Sequence, residues 1–273
     1  MNKGTEKVID GSSQNNENTK EKEHIVLYEK YLKDIFSNPE TVKNFFEFVP
    51  YNFVNYLNFR LMTILSSDHI NARLKKAMND SVWKIRFKDS ELFLCSIIEF
   101  QSYVDDKLPF RLGRLRSDVA EEFVEIDNRY IEEFGHPFIF PAIIYIGTTP
   151  WNFKNISELY STNSEKDYCK EYGFNFIPSY DVFFLNVREI PMETLKEKKG
   201  FFSLYVRLLR AQHLEEFCAA WYEYKEELIA PENISTFKGF VSTAKMLLIE
   251  YYPNFKNKIE SLNTFDEIGG FMF

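Results

Sequence analysis

The sequence predicts an α/β protein in which helices pack on a small mixed sheet. Short runs rich in branched and aromatic residues lie in the middle of the chain, at 80–101 and 138–146, as is typical of strands. Apolar residues at helical spacing precede them and continue after Pro191. Helices and strands in this order pack as layers around a common core.

Composition and charge exclude several classes of protein. The 273 residues are 45% hydrophobic and carry a net charge of −8, which fits one large or two small globular domains. No apolar run reaches the roughly 18 residues of a membrane-spanning helix, and no secretion signal is visible, so we expect a cytoplasmic protein that does not bind membranes. Cys95, Cys169 and Cys218 are scattered, which argues against a disulfide scaffold and a zinc site. Any bound metal should have oxygen ligands.

The amino-terminal part predicts a tail and two helices. Residues 1–24 are polar and rich in Asn, Ser, Lys and Glu, so we expect a disordered tail. From Val26, apolar residues recur at helical spacing and predict a first amphipathic helix that ends near Ser37. Asn38 then caps a second helix, with Pro39 at its first position.

Two strand-like runs separated by Lys88, Asp89 and Ser90 predict a β-hairpin. A tight turn on Asp89 and Ser90 makes Lys88 oppose Glu91. In this register one face of the hairpin is continuously apolar, formed by Trp83, Ile85, Phe87, Leu92, Leu94, Ile98 and Phe100.

The same register brings two carboxylates together at one end of the hairpin. Asp80 lies opposite Glu99, with β-carbons about 5 Å apart, and Gln101 shares their face because side chains alternate along a strand. Paired oxygen ligands suit Mg²⁺, Mn²⁺ or Ca²⁺. The alternative is that both acids merely end their strands at a solvated rim, since a one-residue slip sends them to different faces.

The rest of the chain predicts a long helix, two strands and a helical region. The long helix ends at Gly135 and Pro137. The run Phe138 to Ile146 predicts a strand buried on both faces, and 180–187 predicts another. The helices after Pro191 have an apolar stripe that would serve an intramolecular core or a homodimer equally well. The stripe of the long helix is Leu108, Leu112, Leu115, Val119, Phe123, Ile126 and Tyr130.

Four features in order resemble the recombination-promoting nuclease (Rpn) family, also labelled PD-(D/E)XK nuclease family transposases. They are Asp80, then IIEFQS at 97–102, LPFRLGRLR at 108–116 and FPAIIYIGTTPW at 140–151. The segment 28–50 looks like the family's opening helices. The resemblance covers the nuclease-like core at 25–190, between the predicted tail at 1–24 and the predicted helical C-terminal region at 191–273.

The resemblance implies a restriction-endonuclease-like fold with a metal site at one end of the sheet and hydrolysis of DNA phosphodiester bonds. It implies that Glu29 is the acid of the first helix, that Asp80 and Glu99 are metal ligands, and that Gln101 occupies the usual lysine position. The implied cofactor is Mg²⁺, or else Ca²⁺ or Mn²⁺, and the implied partner is DNA.

The chain departs from the family pattern in ways that bear on the chemistry. Phe100 and Ile146 stand where the family typically shows histidine. Gln101 is neutral, so either another cation must stabilise a developing anion or the metal alone must suffice. Arg111, on the flank of the long helix's apolar stripe, is the candidate for binding phosphate. The alternative is a surface arginine whose stem covers the edge of the helix.

Two functional hypotheses follow. In the first, the chain is a metal-dependent DNA endonuclease that promotes recombination or mobile-element movement. Asp80 and Glu99 would hold the metal, Glu29 and Gln101 would position the attacking water, and Arg111 would bind phosphate. In the second, it is a catalytically inactive nuclease-fold module that binds DNA or a protein through its C-terminal helices. A role in defence against foreign DNA shares the chemistry of the first hypothesis and is not separable from it by sequence.

Overall fold

The computed structural model describes residues 31–65, 81–126, 128–159 and 180–271. The predictions for the tail at 1–24, for Glu29 and for Asp80 lie outside these residues. Residues 31–36 are helical and form α1, whose predicted end near Ser37 is confirmed.

A mixed sheet of five strands forms the centre of the described structure, in the order β1-β2-β3-β4-β5. The β1, β2 and β3 strands pair antiparallel, and β4 and β5 continue the sheet in parallel with β3. The strands are β1 Leu57–Ile64, β2 Ser81–Phe87, β3 Phe93–Gln101, β4 Phe138–Tyr145 and β5 Phe183–Asn186.

The β2–β3 hairpin has the predicted register. Trp83 pairs with Ser96 and Arg86 pairs with Phe93. The turn has Asp89 in the left-handed region, at φ 55°, and Ser90 Oγ accepts a hydrogen bond of 3.0 Å from the backbone N–H of Leu92. The register is therefore confirmed for the described pairs, whereas the predicted pairing of Asp80 lies beyond them.

The β1 strand was not predicted from the sequence. Its first five residues, 57–61, alternate between apolar and polar side chains, which is a strand signal. The pairing with β2 then shifts between Asn58 and Thr63, as at a β-bulge. The alternation ends within this irregular stretch, so only the first part of the strand shows the pattern.

Apart from the short helix Ile156–Leu159, which was not predicted, the described helices occur in the regions that the sequence predicts to be helical. Asn38 caps α2, since its side-chain oxygen accepts a hydrogen bond of 2.9 Å from the backbone N–H of Glu40. Gly135, at φ 76°, ends the predicted long helix, which the structure describes as two helices, α3 and α4, on either side of residue 127. The helices after α1 are α2 Pro39–Phe46, α3 Leu108–Ile126, α4 Asn128–Phe134, α5 Ile156–Leu159, α6 Met192–Glu197, α7 Phe201–Arg210, α8 Leu214–Glu223, α9 Lys225–Ile229, α10 Ile234–Tyr251, α11 Lys256–Ser261 and α12 Phe265–Phe271.

One face of the sheet packs against α1, α2 and the C-terminal helices in a large apolar core. Aromatic rings from three helices meet there: the ring centroids of Phe36 and Phe45 lie 6.0 Å apart, and those of Phe45 and Phe202 lie 5.6 Å apart. The C-terminal helices thus use apolar side chains within the intramolecular core. The domain division at residue 190 and the homodimer stay predictions.

The other face of the sheet packs against α3 and α4 in a second, smaller core. Cys95 and Ile97 of β3 contact this layer, together with Leu112 and Val119 of α3. Both faces of β3 are covered, so the strand is buried along its whole length. Among the helices that the structure describes, none has both the length and the apolar character needed to cross a bilayer.

Candidate active site

Polar side chains gather where β3 ends, at the edge of the sheet to which the parallel strands point their carboxyl ends. Glu99 pairs with Ile143 of β4, and Gln101 pairs with Tyr145, which pairs in turn with Asn186 of β5. The carboxyl edge of parallel strands is where ligands bind in α/β sheets. The position of Glu99 and Gln101 therefore suits a functional site.

Glu99 is buried, with only 6% of its surface exposed. Its Oε1 accepts a hydrogen bond from Nη2 of Arg111, and the two groups form an ion pair. The reading of Glu99 as an acid at a solvated rim is therefore wrong. A buried carboxylate is costly unless it is paired, and Arg111 provides that pairing from α3. In the described part of the chain this guanidinium is the partner of the Glu99 carboxylate.

Arg111 joins Glu99 to a second acid. Its Nη1 donates a hydrogen bond of 2.8 Å to Oδ2 of Asp105, while Nη2 lies 3.5 Å from Oε1 of Gln101. Burial acts to lower the pKa of Arg111, but the charges and hydrogen bonds of Glu99 and Asp105 outweigh it and raise that pKa. The guanidinium is thus held charged and in a fixed orientation.

Asp105 was missed from the sequence. Its Oδ1 accepts a hydrogen bond of 2.9 Å from the backbone N–H of Lys107, and its carbonyl oxygen accepts one of 3.0 Å from the N–H of Leu108. One carboxylate therefore shapes the start of α3 and also holds Arg111. An aspartate just before a helix is a recognised start signal, but its contact with Arg111 depends on side-chain geometry that spacing does not give.

Gln101 is fixed at both ends of its amide. Its Nε2 donates a hydrogen bond of 3.0 Å to the carbonyl oxygen of Tyr103, and its oxygen faces Arg111. The side chain is buried. Because an amide carries no charge, the positive charge near Glu99 comes from Arg111 in the described structure.

The loop after β4 packs tightly against this edge. A β-carbon on Gly147 would lie 2.4 Å from the carbonyl oxygen of Ser102, so only glycine allows the two segments to approach this closely. The hydroxyl of Tyr145 donates a hydrogen bond of 2.6 Å to the carbonyl oxygen of Thr149, and its ring packs on Trp151. These residues therefore have a structural role where the chain leaves β4 for the following loop.

The structure brings three of the predicted site residues together: Glu99, Gln101 and Arg111. Glu29 and Asp80 lie outside the described residues. Within those residues, no three His, Cys, Asp or Glu side chains are grouped so that they could hold a metal ion. The metal-ligand and catalytic roles therefore stay predictions.

These features define an α/β protein with a buried acid and a fixed arginine at the carboxyl edge of a mixed sheet. Residues 27–235 match the model of the family described as "Putative transposase, YhgA-like", and the chain belongs to that family. It is similar to the recombination-promoting nuclease RpnD of Escherichia coli O157:H7, with 23% identity over 129 residues, or 46% of this chain and 48% of that protein.

The relationship to recombination-promoting nucleases expected from the sequence is thereby confirmed. The chain spans about half the length of this curated relative. No solved structure matches the chain.

Proposed function

We propose that the protein is a divalent-metal-dependent endonuclease that hydrolyses DNA phosphodiester bonds and so promotes recombination or mobile-element movement. The observation that carries the proposal is the buried carboxylate of Glu99 held by Arg111 at the carboxyl edge of the sheet. Membership of a transposase family and similarity to a protein named as a nuclease support it. The corresponding fold proposal is a restriction-endonuclease-like, PD-(D/E)XK, core.

The proposed metal ligands are Glu99 and Asp80. The described register pairs Ser81 with Ile98, and we propose that it continues by one pair, which would bring Asp80 opposite Glu99. The side-chain oxygens of Gln101 and Asp105 contact the same guanidinium as Glu99, and oxygen donors fit a hard cation such as Mg²⁺, Mn²⁺ or Ca²⁺. When bound, such an ion lowers the pKa of water and neutralises charge on a phosphate oxygen.

Arg111 is the proposed phosphate-binding residue. Its side chain is partly exposed, at 36%, while its position is fixed by Glu99 and Asp105. A guanidinium presents several N–H donors in one plane, so it can bind a phosphate oxygen while it keeps contact with a carboxylate. Asp105 acts as a positioning residue, because it orients Arg111 and also fixes the start of α3.

Gln101 and Glu29 are the proposed water-positioning residues. The amide of Gln101 lies beside the guanidinium of Arg111 and can orient a water by hydrogen bonding, whereas it cannot supply positive charge. Stabilisation of the developing anion by protein groups therefore falls to Arg111. Glu29 has this role by family resemblance.

A plasmid-nicking assay tests the proposed activity. Purified protein with Mg²⁺, Mn²⁺ or Ca²⁺ should nick supercoiled DNA, and Asp80→Asn should abolish nicking. The matched control is Asp89→Asn, an acid-to-amide change in the exposed turn of the same hairpin, where asparagine tolerates the positive φ. Nicking by D80N at the level of D89N, or no nicking by the wild-type protein with any of the three metals, would reject the proposal.

The second candidate is a catalytically inactive nuclease-fold module that binds DNA or a protein. The observation in its favour is Gln101, a neutral residue in the usual lysine position with both ends of its amide engaged inside the protein. Calorimetry separates the two candidates. Retained DNA affinity without divalent-ion binding at millimolar concentration would favour the inactive module.

A further inference from the structure

Two arginines lie at the carboxyl edge of the sheet, beside the end of β5 rather than the end of β3, where Glu99 lies. Arg188 follows β5, and its Nε donates a hydrogen bond of 3.0 Å to the carbonyl oxygen of Gly147. Arg210 ends α7, and its Nη1 donates to the carbonyl oxygens of Val187, at 3.3 Å, and of Ile190. Backbone carbonyls therefore fix both guanidinium groups.

The two arginines are near neighbours, because Arg210 donates to the carbonyl oxygen of Val187, the residue before Arg188. In the described part of the chain, neither Arg188 nor Arg210 forms an ion pair, and the neighbouring Glu189 accepts a hydrogen bond of 2.8 Å from Asn186 instead. Burial lowers the pKa of Arg210, and the positive charge of Arg188 lowers it further. Like charges held together raise the energy of the protein, and a bound anion would offset that cost.

The strand pairing sets the spacing between the end of β3, where Glu99 lies, and the end of β5, which Arg188 follows. Gln101 pairs with Tyr145, and Tyr145 pairs with Asn186, two residues before Arg188. Neighbouring strands are about 4.8 Å apart, so the backbone at Gln101 lies roughly 10 Å from the backbone at Asn186, just before Arg188. This corresponds to roughly three nucleotides of rise along one strand of B-DNA.

We propose that Arg188 and Arg210 form a second phosphate-binding site, which holds a backbone phosphate of the DNA a few nucleotides from Glu99. The chemistry is that of guanidinium groups, whose forked donors match phosphate oxygens. The identity of the anion as DNA rests on the proposed function. Inorganic phosphate offers the same chemistry, so the test includes it separately.

The test variant is Arg188→Gln. Arg188 is exposed, whereas Arg210 also ties two carbonyl oxygens to α7 and is a poorer choice. The matched control is Arg86→Gln, which removes one positive charge near the hairpin turn, at the opposite edge of the sheet from Arg188. Arg86 pairs there with Glu91 at 2.7 Å. Arg188→Lys keeps the charge. Circular dichroism melts of all variants check that the fold is retained.

Affinity for a labelled DNA duplex is measured by fluorescence anisotropy in EDTA, so that no cleavage takes place, at several salt concentrations. R188Q should weaken binding about five- to tenfold at low salt and reduce the salt dependence by about one phosphate contact. R86Q should match the wild-type protein, and R188K should keep the wild-type salt dependence.

Equal affinities of R188Q and R86Q would overturn the inference, as would the absence of DNA binding by the wild-type protein. Calorimetry with inorganic phosphate supplies another arm: loss of phosphate binding in R188Q with unchanged DNA affinity would assign the site to a small anion and reject the DNA contact. If the wild-type protein binds DNA but never cuts it, the proposed function fails, while a weakened R188Q still supports this inference.

Discussion

Two ion pairs in the protein have opposite arrangements of burial. At the end of β3 the acid is buried and the cation is partly exposed: the side chains of Glu99 and Arg111 are 7% and 36% exposed. Between the C-terminal helices the cation is buried and the acid is partly exposed: Arg207 and Glu223 are 7% and 33% exposed. The exposed member of each ion pair determines which charge is accessible to a ligand. The first pair presents a positive charge, which attracts phosphate, and the second a negative charge, which repels it.

The second pair links α7 to α8 and serves the fold. Nη2 of Arg207 lies 2.7 Å from Oε2 of Glu223, and Nζ of Lys199 lies 3.3 Å from Oε1 of the same carboxylate. The guanidinium of Arg207 also lies over the ring of Tyr224. Burial of a charge is thus not by itself a sign of a functional site. The position of Glu99 at the carboxyl edge of the parallel strands makes the difference.

The largest effect that we expect is a difference in plasmid nicking between variants of the two acids, Glu99 and Glu223. Glu99→Gln should reduce plasmid nicking by at least about 100-fold, because it removes the charge of a proposed metal ligand. Glu223→Gln should leave nicking unchanged. Initial rates for both variants, with thermal melts to confirm folding, make the comparison, and equal losses in the two variants would refute it.

The next effect is the contribution of the pair of Arg207 and Glu223 to the free energy of unfolding. Glu223→Ala should lower the free energy of unfolding by about 1–3 kcal/mol, because it leaves the buried charge of Arg207 without its carboxylate partner. Urea unfolding followed by circular dichroism measures the change. A control is Glu91→Ala, which breaks the exposed pair with Arg86 and should cost less than about 1 kcal/mol. Equal costs would show that the pair of Arg207 and Glu223 contributes no more than a surface pair.

A smaller effect tests the positioning role of Asp105. Asp105→Asn keeps a side-chain oxygen for the start of α3 but removes the charge that helps to hold Arg111. We expect DNA affinity in EDTA to fall by up to about tenfold with little change in the melting temperature. Asp106→Asn, a neighbouring exposed acid, is the control. A fall in melting temperature without a change in affinity would assign Asp105 to the helix start alone.

The smallest effect is the pH dependence of the structural pair. The hydrogen bond from Arg207, with the charge of Arg207 and the contact from Lys199, holds the pKa of Glu223 below its ordinary value despite partial burial. A lowered pKa in the folded state stabilises the protein above the ordinary glutamate pKa of about 4.3. This stabilisation is lost as the pH falls through the lower pKa that Glu223 has in the folded protein.

The difference in stability between the wild-type protein and E223Q should therefore be constant from pH 7 to about 5 and shrink below about 4. Urea titrations at four pH values from 7 to 3 check this. A difference that grows on acidification would contradict the assigned sign.

The parts of the fold that local sequence determines were predictable. The turn at Asp89 and Ser90, with the apolar runs on either side, gave the register of the hairpin, and Asn38 and Gly135 marked helix ends. These features depend on backbone preferences of a few neighbouring residues. The β1 strand was not predicted, because its alternation of apolar and polar side chains is interrupted where its pairing shifts.

The candidate site was predictable only in part. Glu99 and Gln101 share a face because strands alternate, and Arg111 was singled out by its place on the helix. Spacing did not show that Arg111 would reach Glu99 and Asp105 together, since this depends on how α3 packs on the sheet. The pair of Arg188 and Arg210 likewise arises from tertiary packing, because it joins the end of β5 to the end of α7.

The most direct test of the central claim is the position of Mn²⁺ in crystals of the wild-type protein, located by its anomalous scattering. We predict one peak within bonding distance of the carboxylates of both Glu99 and Asp80, with Gln101 and Arg111 adjacent to it. A peak that does not contact Glu99, or two carboxylates too far apart for one cation to bridge, would contradict the proposed nuclease site.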